Sequence, residues 1–217
     1  MIIGFANIKG NVGKTTSTIM LGELLAKNGK KVLLIDGDSQ SSLSLKLSIE
    51  NLDQDDKTTY EYFSSNIESK KVIKKLDKYD LMPSKIELMN LSSEMTKEEA
   101  SDIIKVKLNK LREEYDYILV DFPPDLDYLT LNISKFAEKI MIITDTGNIS
   151  KIRALETMKR MQSSVDEKIN FAGVIVTKFT EEVDHMDEFN DLPIYKIEEC
   201  KEDALVEEYK QILKDIL

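Results

Sequence analysis

The chain has 217 residues, 30 Lys and Arg against 40 Asp and Glu, and a formal net charge of −10. That length suits one domain, expected over residues 1–217, with room for a core that needs no covalent staple. The single cysteine, Cys200, excludes an internal disulfide framework. No apolar run approaches the ~18 residues that span a bilayer, and MIIGFANIKG lacks the basic leader and cleavage site of a secretory signal. A cytoplasmic, folded, acidic protein is expected.

In chain order, the first apolar run is IIGFA at 2–6, followed by the Gly- and Lys-containing turn 9-KGNVGKTT-16. Residues 15–28 then carry Ile19, Leu21, Leu24 and Leu25 on one helical stripe, with Gly29 as a stop. VLLID at 32–36 is a second strand, and the polar, lysine-rich stretch 50–78 is expected to form short helices and loops at an edge. A helix over 97–114 places Ile103, Ile104, Leu108 and Leu111 together. Three more strands are expected from YILVDF at 117–122, KIMIIT at 139–144 and AGVIVT at 172–177. Continuous apolar runs without alternation suit parallel strands covered on both faces. Strand and helix in turn predict an α/β fold with a mostly parallel twisted sheet and helices on both faces. Residues 181–203 hold ten acids and two lysines, a net of −8, and are expected to form a solvated loop and helix face. In the last twenty residues Leu205, Val206, Tyr209, Ile212, Leu213 and Ile216 form a stripe expected to dock on the sheet.

The octet at 9–16 lies between a strand and a helix, which is the context of a phosphate loop. Its N–H groups and the start of the following helix would cradle phosphates. Lys14 would sit among the phosphate oxygens, and Thr15 would offer its hydroxyl to Mg²⁺. Gly10 and Gly13 would admit close approach of the backbone. The usual pattern asks for glycine at position 8; Ile8 stands there instead, and a second lysine, Lys9, precedes the loop. Asp36 and Asp38 close the second strand and Asp121 closes YILVD. All three are expected at the C-terminal edge of the sheet, where nucleotides bind in open α/β sheets. His185 is the only histidine and cannot build a metal cluster, and Cys200 has no basic helix-start context; neither is assigned a role.

The chain resembles the ParA/MinD ATPases, with their deviant phosphate loop, and within them the ParA partition ATPases. The residues that carry the likeness are the octet 9–16, LLIDGDSQ at 33–40, YDLMPSKIEL at 79–88, LREEYDYILVDFPPDLDYLTLN at 111–132 and VIVTKF at 174–179. The resemblance implies a P-loop NTPase fold and ATP with Mg²⁺ as ligands. It further implies an ATP-bound homodimer, slow hydrolysis, a centromere-binding (ParB-like) partner and segregation of a plasmid or other DNA element. By the same resemblance Lys9 reaches the partner's nucleotide, while Gly10, Asn11, Val12, Gly13, Lys14, Thr15 and Thr16 bind phosphate. Asp38 orients the attacking water, Thr15, Asp36 and Asp121 serve the metal, and Thr177, Lys178 and Pro193 border the adenine.

Two departures bear on function. Asn11 replaces the family's second glycine where subunits meet, although asparagine tolerates positive φ. The region after Lys178 lacks the arginines by which ParA proteins bind nonspecific DNA. Substitute basic groups are Lys151, Arg153, Lys159 and Arg160, or Lys70, Lys71, Lys74, Lys75 and Lys78. Membrane attachment of the MinD kind is disfavoured, because residues 198–217 carry seven acids and three lysines. The alternative function is an ATP-dependent positioning or regulatory adaptor without DNA binding. A small-molecule synthetase with the same loop is a third reading.

Overall fold

The computed structural model describes residues 1–49, 52–53, 55–94, 96–179, 187–189, 192–198 and 202–216. His185, Cys200 and most of the acidic segment lie outside the described residues. Among the described residues, the strands are β1 (Ile2–Ala6), β2 (Val32–Asp36), β3 (Lys74–Lys75), β4 (Asp80–Met82), β5 (Tyr117–Asp121), β6 (Lys139–Asp145), β7 (Phe171–Phe179) and β8 (Ile194–Glu198). The helices are α1 (Lys14–Lys27), α2 (Ser42–Lys46), α3 (Thr59–Ser64), α4 (Leu91–Glu94), α5 (Lys97–Glu114), α6 (Tyr128–Phe136), α7 (Asn148–Ser163) and α8 (Glu202–Ile216).

The strands form one eight-stranded sheet in the order β3-β4-β2-β5-β1-β6-β7-β8. Every pairing is parallel except β3 with β4. The period-2 alternation of the strands divides the core between the two faces. Ile2 of β1 and Ile118 and Val120 of β5 face α3, α5, α6 and α7, meeting Phe63, Leu108, Ile133 and Met161. Ile3 and Phe5 of β1 and Leu119 of β5 face α1 and α8, meeting Leu21, Leu25, Ile212 and Leu213. This is the expected three-layer α/β/α arrangement.

All five expected strands are present. The structure adds β3, β4 and β8. β8 corrects the expectation of a solvated loop and helix face, because residues 194–198 pair with β7. Its side chains alternate between buried and exposed, as on a sheet edge with one wet face. The stripe of α8 is docked as expected: Tyr209, Ile212, Leu213 and Ile216 are buried, and the Tyr209 hydroxyl lies 2.8 Å from Ser17 Oγ of α1. Among the described residues no helix is long and apolar enough to cross a membrane.

Leu119 is fully buried in the central strand of the α1/α8 face. Its replacement by alanine removes packed methyl groups and leaves a void. Leu119→Ala is expected to lower unfolding free energy by about 2–5 kcal/mol in urea titration.

Candidate functional site

β1 lies between β5 and β6, so the strands entered through α1 lie on one side of it and the later ones on the other. Such a switch point opens a crevice at the C-terminal edge of the sheet. The turn after β1 occupies it and runs straight into α1. Two residues of the turn have left-handed backbone, Asn11 at φ 60° and Gly13 at φ 97°. Asn11 thus holds the conformation that asparagine accepts more readily than most residues. At Gly13 a Cβ would come within 2.8 Å of Thr177 Cγ2, so glycine is required there on two counts. Gly10 has open space around its Cα and borders the pocket.

The pocket at this edge measures about 450 Å³ and is walled by the turn, the first residues of α1, Asp38, Gln40, Lys46, Phe122 and Lys178. Lys14 is buried, and its ammonium donates to the carbonyls of Asn7 at 3.0 Å and Lys9 at 3.1 Å. Burial lowers its pKa, opposed by the nearby charges of Asp121 and Asp38. Val12 is buried and its carbonyl accepts the Thr177 hydroxyl at 2.8 Å. Lys46 of α2 donates to Thr16 Oγ1 at 2.8 Å, at the pocket wall.

The three carboxylates take different positions. Asp36 is fully buried, with Oδ1 accepting the Asp38 amide at 3.2 Å and Oδ2 accepting the Ser44 amide and hydroxyl at 2.8 and 2.7 Å. Burial pushes its pKa up to about 6 against those hydrogen bonds. Asp38 reaches the pocket wall, and its Oδ1 accepts the Gln40 amide at 2.9 Å. Asp121 is buried beside the Thr15 hydroxyl, which donates to its side chain, and Asp121 Oδ1 has no hydrogen-bond partner. Burial raises its pKa, with Asp36 and Asp38 adding to the effect and Thr15 and Lys14 opposing it. A buried carboxylate oxygen without a donor next to a threonine hydroxyl suits an octahedral cation that retains waters.

Lys9 stands at the mouth of the turn. Its ammonium donates to Asp145 Oδ2 at 2.9 Å and to Ser150 Oγ at 2.6 Å, both in the same subunit. Burial alone would raise the Asp145 pKa; hydrogen bonds from Ser150, Lys9 and the Gly147 amide outweigh it and hold the group below its usual range.

Of the expected site residues, the structure brings together the turn, Lys14, Thr15, Thr16, Asp38, Asp121 and Lys178. Thr177 is under the turn as a support. Pro193 is not brought to the pocket: it precedes β8, and its carbonyl accepts the Val174 amide at 2.8 Å, well before the C-terminal end of β7. Asn7, Lys46, Asp145 and Ser150 were absent from the expected set. Only the spacing of Asn7 from the loop was legible; the others reach the turn from elements far along the chain.

Gly37 lies between Asp36 and Asp38, and a Cβ there would come within 2.9 Å of the Asp121 carbonyl oxygen. That neighbour is backbone and cannot swing aside. Gly37→Ala is expected to lose about 1–3 kcal/mol of stability in denaturant titration, the usual cost of overpacking.

A family model described as an AAA domain matches residues 1–171. The chromosome-partitioning ATPase Soj of Treponema pallidum is 32% identical over 181 residues, covering 81% of this chain and 70% of that protein. The chain belongs to the ParA/MinD ATPase family. This ParA-type ATPase is also 29% identical over 220 residues to the sporulation initiation inhibitor protein Soj of Bacillus subtilis, covering 98% of this chain and 83% of that one. Among solved structures, a plasmid partition protein of Borrelia burgdorferi bound to AMPPNP superposes with a TM-score of 0.83 at 28% identity, covering 99% of this chain and 97% of that one. Cobyrinic acid a,c-diamide synthase of Mycobacterium smegmatis, with an ATP analogue and magnesium, shares the fold at a TM-score of 0.85 and 24% identity over 98% of this chain and 92% of that one.

Proposed function

We propose that this ParA-type ATPase, acting as one domain over residues 1–217, is a cytoplasmic partition ATPase. It binds ATP, pairs face to face with a second copy, hydrolyses slowly, and so times the segregation of a DNA element with a centromere-binding partner. The observation that carries the reading is Lys14 buried inside the turn with Lys9 at its mouth. One lysine is placed for its own subunit's phosphates, while the other lies at the rim from which a second subunit is reached. The likeness to the chromosome-partitioning ATPase Soj of Treponema pallidum and to the Borrelia plasmid partition protein supports partition over the other readings.

In this reading the amides of residues 10–16 and the N-terminus of α1 receive the β- and γ-phosphates. Lys14 exchanges its two carbonyl partners for phosphate oxygens. Thr15 and Asp121 would hold Mg²⁺, which would supply positive charge to the transferring phosphoryl group. Asp38 orients the attacking water. Asp36 acts one step removed, because its oxygens already hold the Asp38 amide and Ser44 and so fix the segment that carries Asp38. Phosphoryl transfer is mostly a matter of positioning and charge, so slow turnover is expected until a partner completes the site. Lys178 is left to border the base.

Lys9 must leave Asp145 and Ser150 to serve the second subunit. Asp145→Asn weakens the tether by about 0.5–1 kcal/mol, the value of a part-exposed ion pair. The variant is expected to reach half-maximal dimerisation at about 2–5-fold lower ATP-analogue concentration in a light-scattering titration. An unchanged midpoint would contradict the tether.

Nonspecific DNA binding finds less support. Arg153 and Arg160 both pair with Glu156, and Lys151 is buried. In the other basic group Lys70, Lys74, Lys75 and Lys78 pair with Glu68, Asp56, Asp80 and Glu23. These observations favour the second reading, an ATP-dependent positioning adaptor. Salt-dependent retention of arbitrary duplex DNA with ATP decides for partition, and no retention at low salt decides for the adaptor.

A further inference from the structure

Asp36 is a fully buried carboxylate at the end of β2, and among the described residues its three donors are all neutral groups. Oδ1 accepts the Asp38 amide at 3.2 Å, and Oδ2 accepts the Ser44 amide and hydroxyl at 2.8 and 2.7 Å. Ser44 thus supplies two of the three. It lies in α2, is itself buried, and is not among the residues that wall the nucleotide pocket. An ionised carboxylate only accepts and an amide only donates, so the direction of each bond is fixed. The Ser44 hydroxyl gives its one proton to Asp36 and accepts the Ser84 amide at 3.1 Å.

Ser84 follows β4 and is tied to the segment after β2 by both of its backbone groups. Its amide donates to Ser44 Oγ, and its carbonyl accepts the Ser41 hydroxyl at 2.9 Å. Thr59, the first residue of α3, reaches the same place from a third element. Its hydroxyl donates to the Asp36 carbonyl at 2.9 Å, and its amide donates to the Pro83 carbonyl at 2.8 Å. Between these ties runs the short turn that carries Asp38. The Asp38 carbonyl accepts the Ser41 amide at 2.8 Å, and Ser41 is left-handed at φ 56°. A non-glycine residue persists in that conformation where its surroundings over-determine it. The aim of the Asp38 carboxylate is therefore set by a turn pinned at Asp36 on one side and at Ser41 and Ser44 on the other.

We propose that Ser44 is a positioning residue for hydrolysis. Its hydroxyl, braced by the Ser84 amide, holds the Asp36 carboxylate, which holds the Asp38 amide and so the direction of the Asp38 side chain. The inference rests on the proposed role of Asp38 toward the attacking water and adds what aims it. Without the hydroxyl, Asp36 Oδ2 keeps one donor and the Ser84 amide loses its acceptor. Asp36 and Ser84 are both fully buried, so neither can turn to water for a replacement. The carboxylate then rearranges, and its bond to the Asp38 amide, the longest of the three, is the one given up. A small misplacement of a catalytic group costs rate. Ser44 touches no group assigned to the phosphates, so nucleotide binding is spared.

The test compares the wild-type chain, Ser44→Ala, Asp38→Ala and the double variant. Single-turnover hydrolysis of radiolabelled ATP with Mg²⁺ gives the rate, and calorimetric titration gives the affinity. Ser44→Ala is expected to hydrolyse about 10-fold more slowly, with ATP affinity within about 2-fold of wild type. In the Asp38→Ala background the same change is expected to cost less than about 2-fold more, because groups that act as one unit do not add. A general loosening of the fold would instead multiply the two losses and weaken binding. A wild-type rate in Ser44→Ala beside a slow Asp38→Ala overturns the proposal and leaves Asp38 in its role. A loss that multiplies in full, or that appears equally in affinity, overturns it as well. Normal turnover in Asp38→Ala overturns the reading of Asp38 and this proposal together. If Ser44→Ala does not fold, Thr59→Val takes its place, since it frees the Asp36 carbonyl and leaves the carboxylate's own bonds in place. A wild-type rate in that variant then overturns the proposal.

Discussion

Lys14→Ala is expected to lose ATP affinity by about 100-fold or more, roughly 3 kcal/mol, the value of one or two charge-assisted hydrogen bonds. The reason lies in what surrounds the ammonium. Asp121 and Asp38 both bear on Lys14, so its removal leaves carboxylates facing an incoming triphosphate with one compensating charge fewer. The carbonyls of Asn7 and Lys9 also lose their donor. Calorimetric titration with ATP and Mg²⁺ measures the effect, with circular dichroism as the control for folding. An affinity within a few-fold of wild type would contradict the assignment of Lys14 to the phosphates.

The second large effect separates binding from turnover. Asp38→Ala is expected to bind ATP within about 3-fold of wild type and to hydrolyse it about 10²–10³-fold more slowly, the usual loss when one positioned catalytic group is removed. Asp38 is buried at the pocket wall, and its Oδ1 already accepts the Gln40 amide. Its loss costs the orientation of water and one turn hydrogen bond, but no contact assigned to the phosphates. Asp38→Asn retains an acceptor for Gln40 without the charge. It is expected to be as slow as the alanine variant if charge on the water is what matters. Phosphate release under saturating ATP reads both variants; normal turnover in Asp38→Ala would remove Asp38 from the reaction, and normal turnover in Asp38→Asn alone would remove only the need for its charge.

The parts of the fold that were legible in the sequence share one physical cause. β1, β2, β5, β6 and β7 are covered on both faces, so their sequences are uninterrupted apolar runs. β4 is three residues long and β3 two, too short to show any period. β8 reads IYKIE, three apolar residues and two charged, because it is an edge strand with one wet face, and the acids around it hid its alternation.

The site divides the same way. The octet is local, and its glycine at position 13 and the left-handed Asn11 follow from the turn itself. Asp145, Ser150 and Lys46 arrive by tertiary contact, so no spacing in the chain announces them. The resemblance to the ParA ATPases implies a metal-side role for Asp36. Its oxygens proved to be taken by Ser44 and the Asp38 amide, which a hydroxyl eight residues away made possible.

The account turns on one switch, in which a nucleotide at the buried lysine decides whether the rim lysine meets another subunit. Sedimentation of Asp38→Ala with Mg²⁺ and ATP, with Mg²⁺ and ADP, and again after adding Lys9→Ala measures it directly. The account predicts a dimer with ATP alone, a monomer with ADP, and a monomer in every condition once Lys9 is gone. An unchanged mass across all the samples, or a dimer indifferent to Lys9, would contradict it.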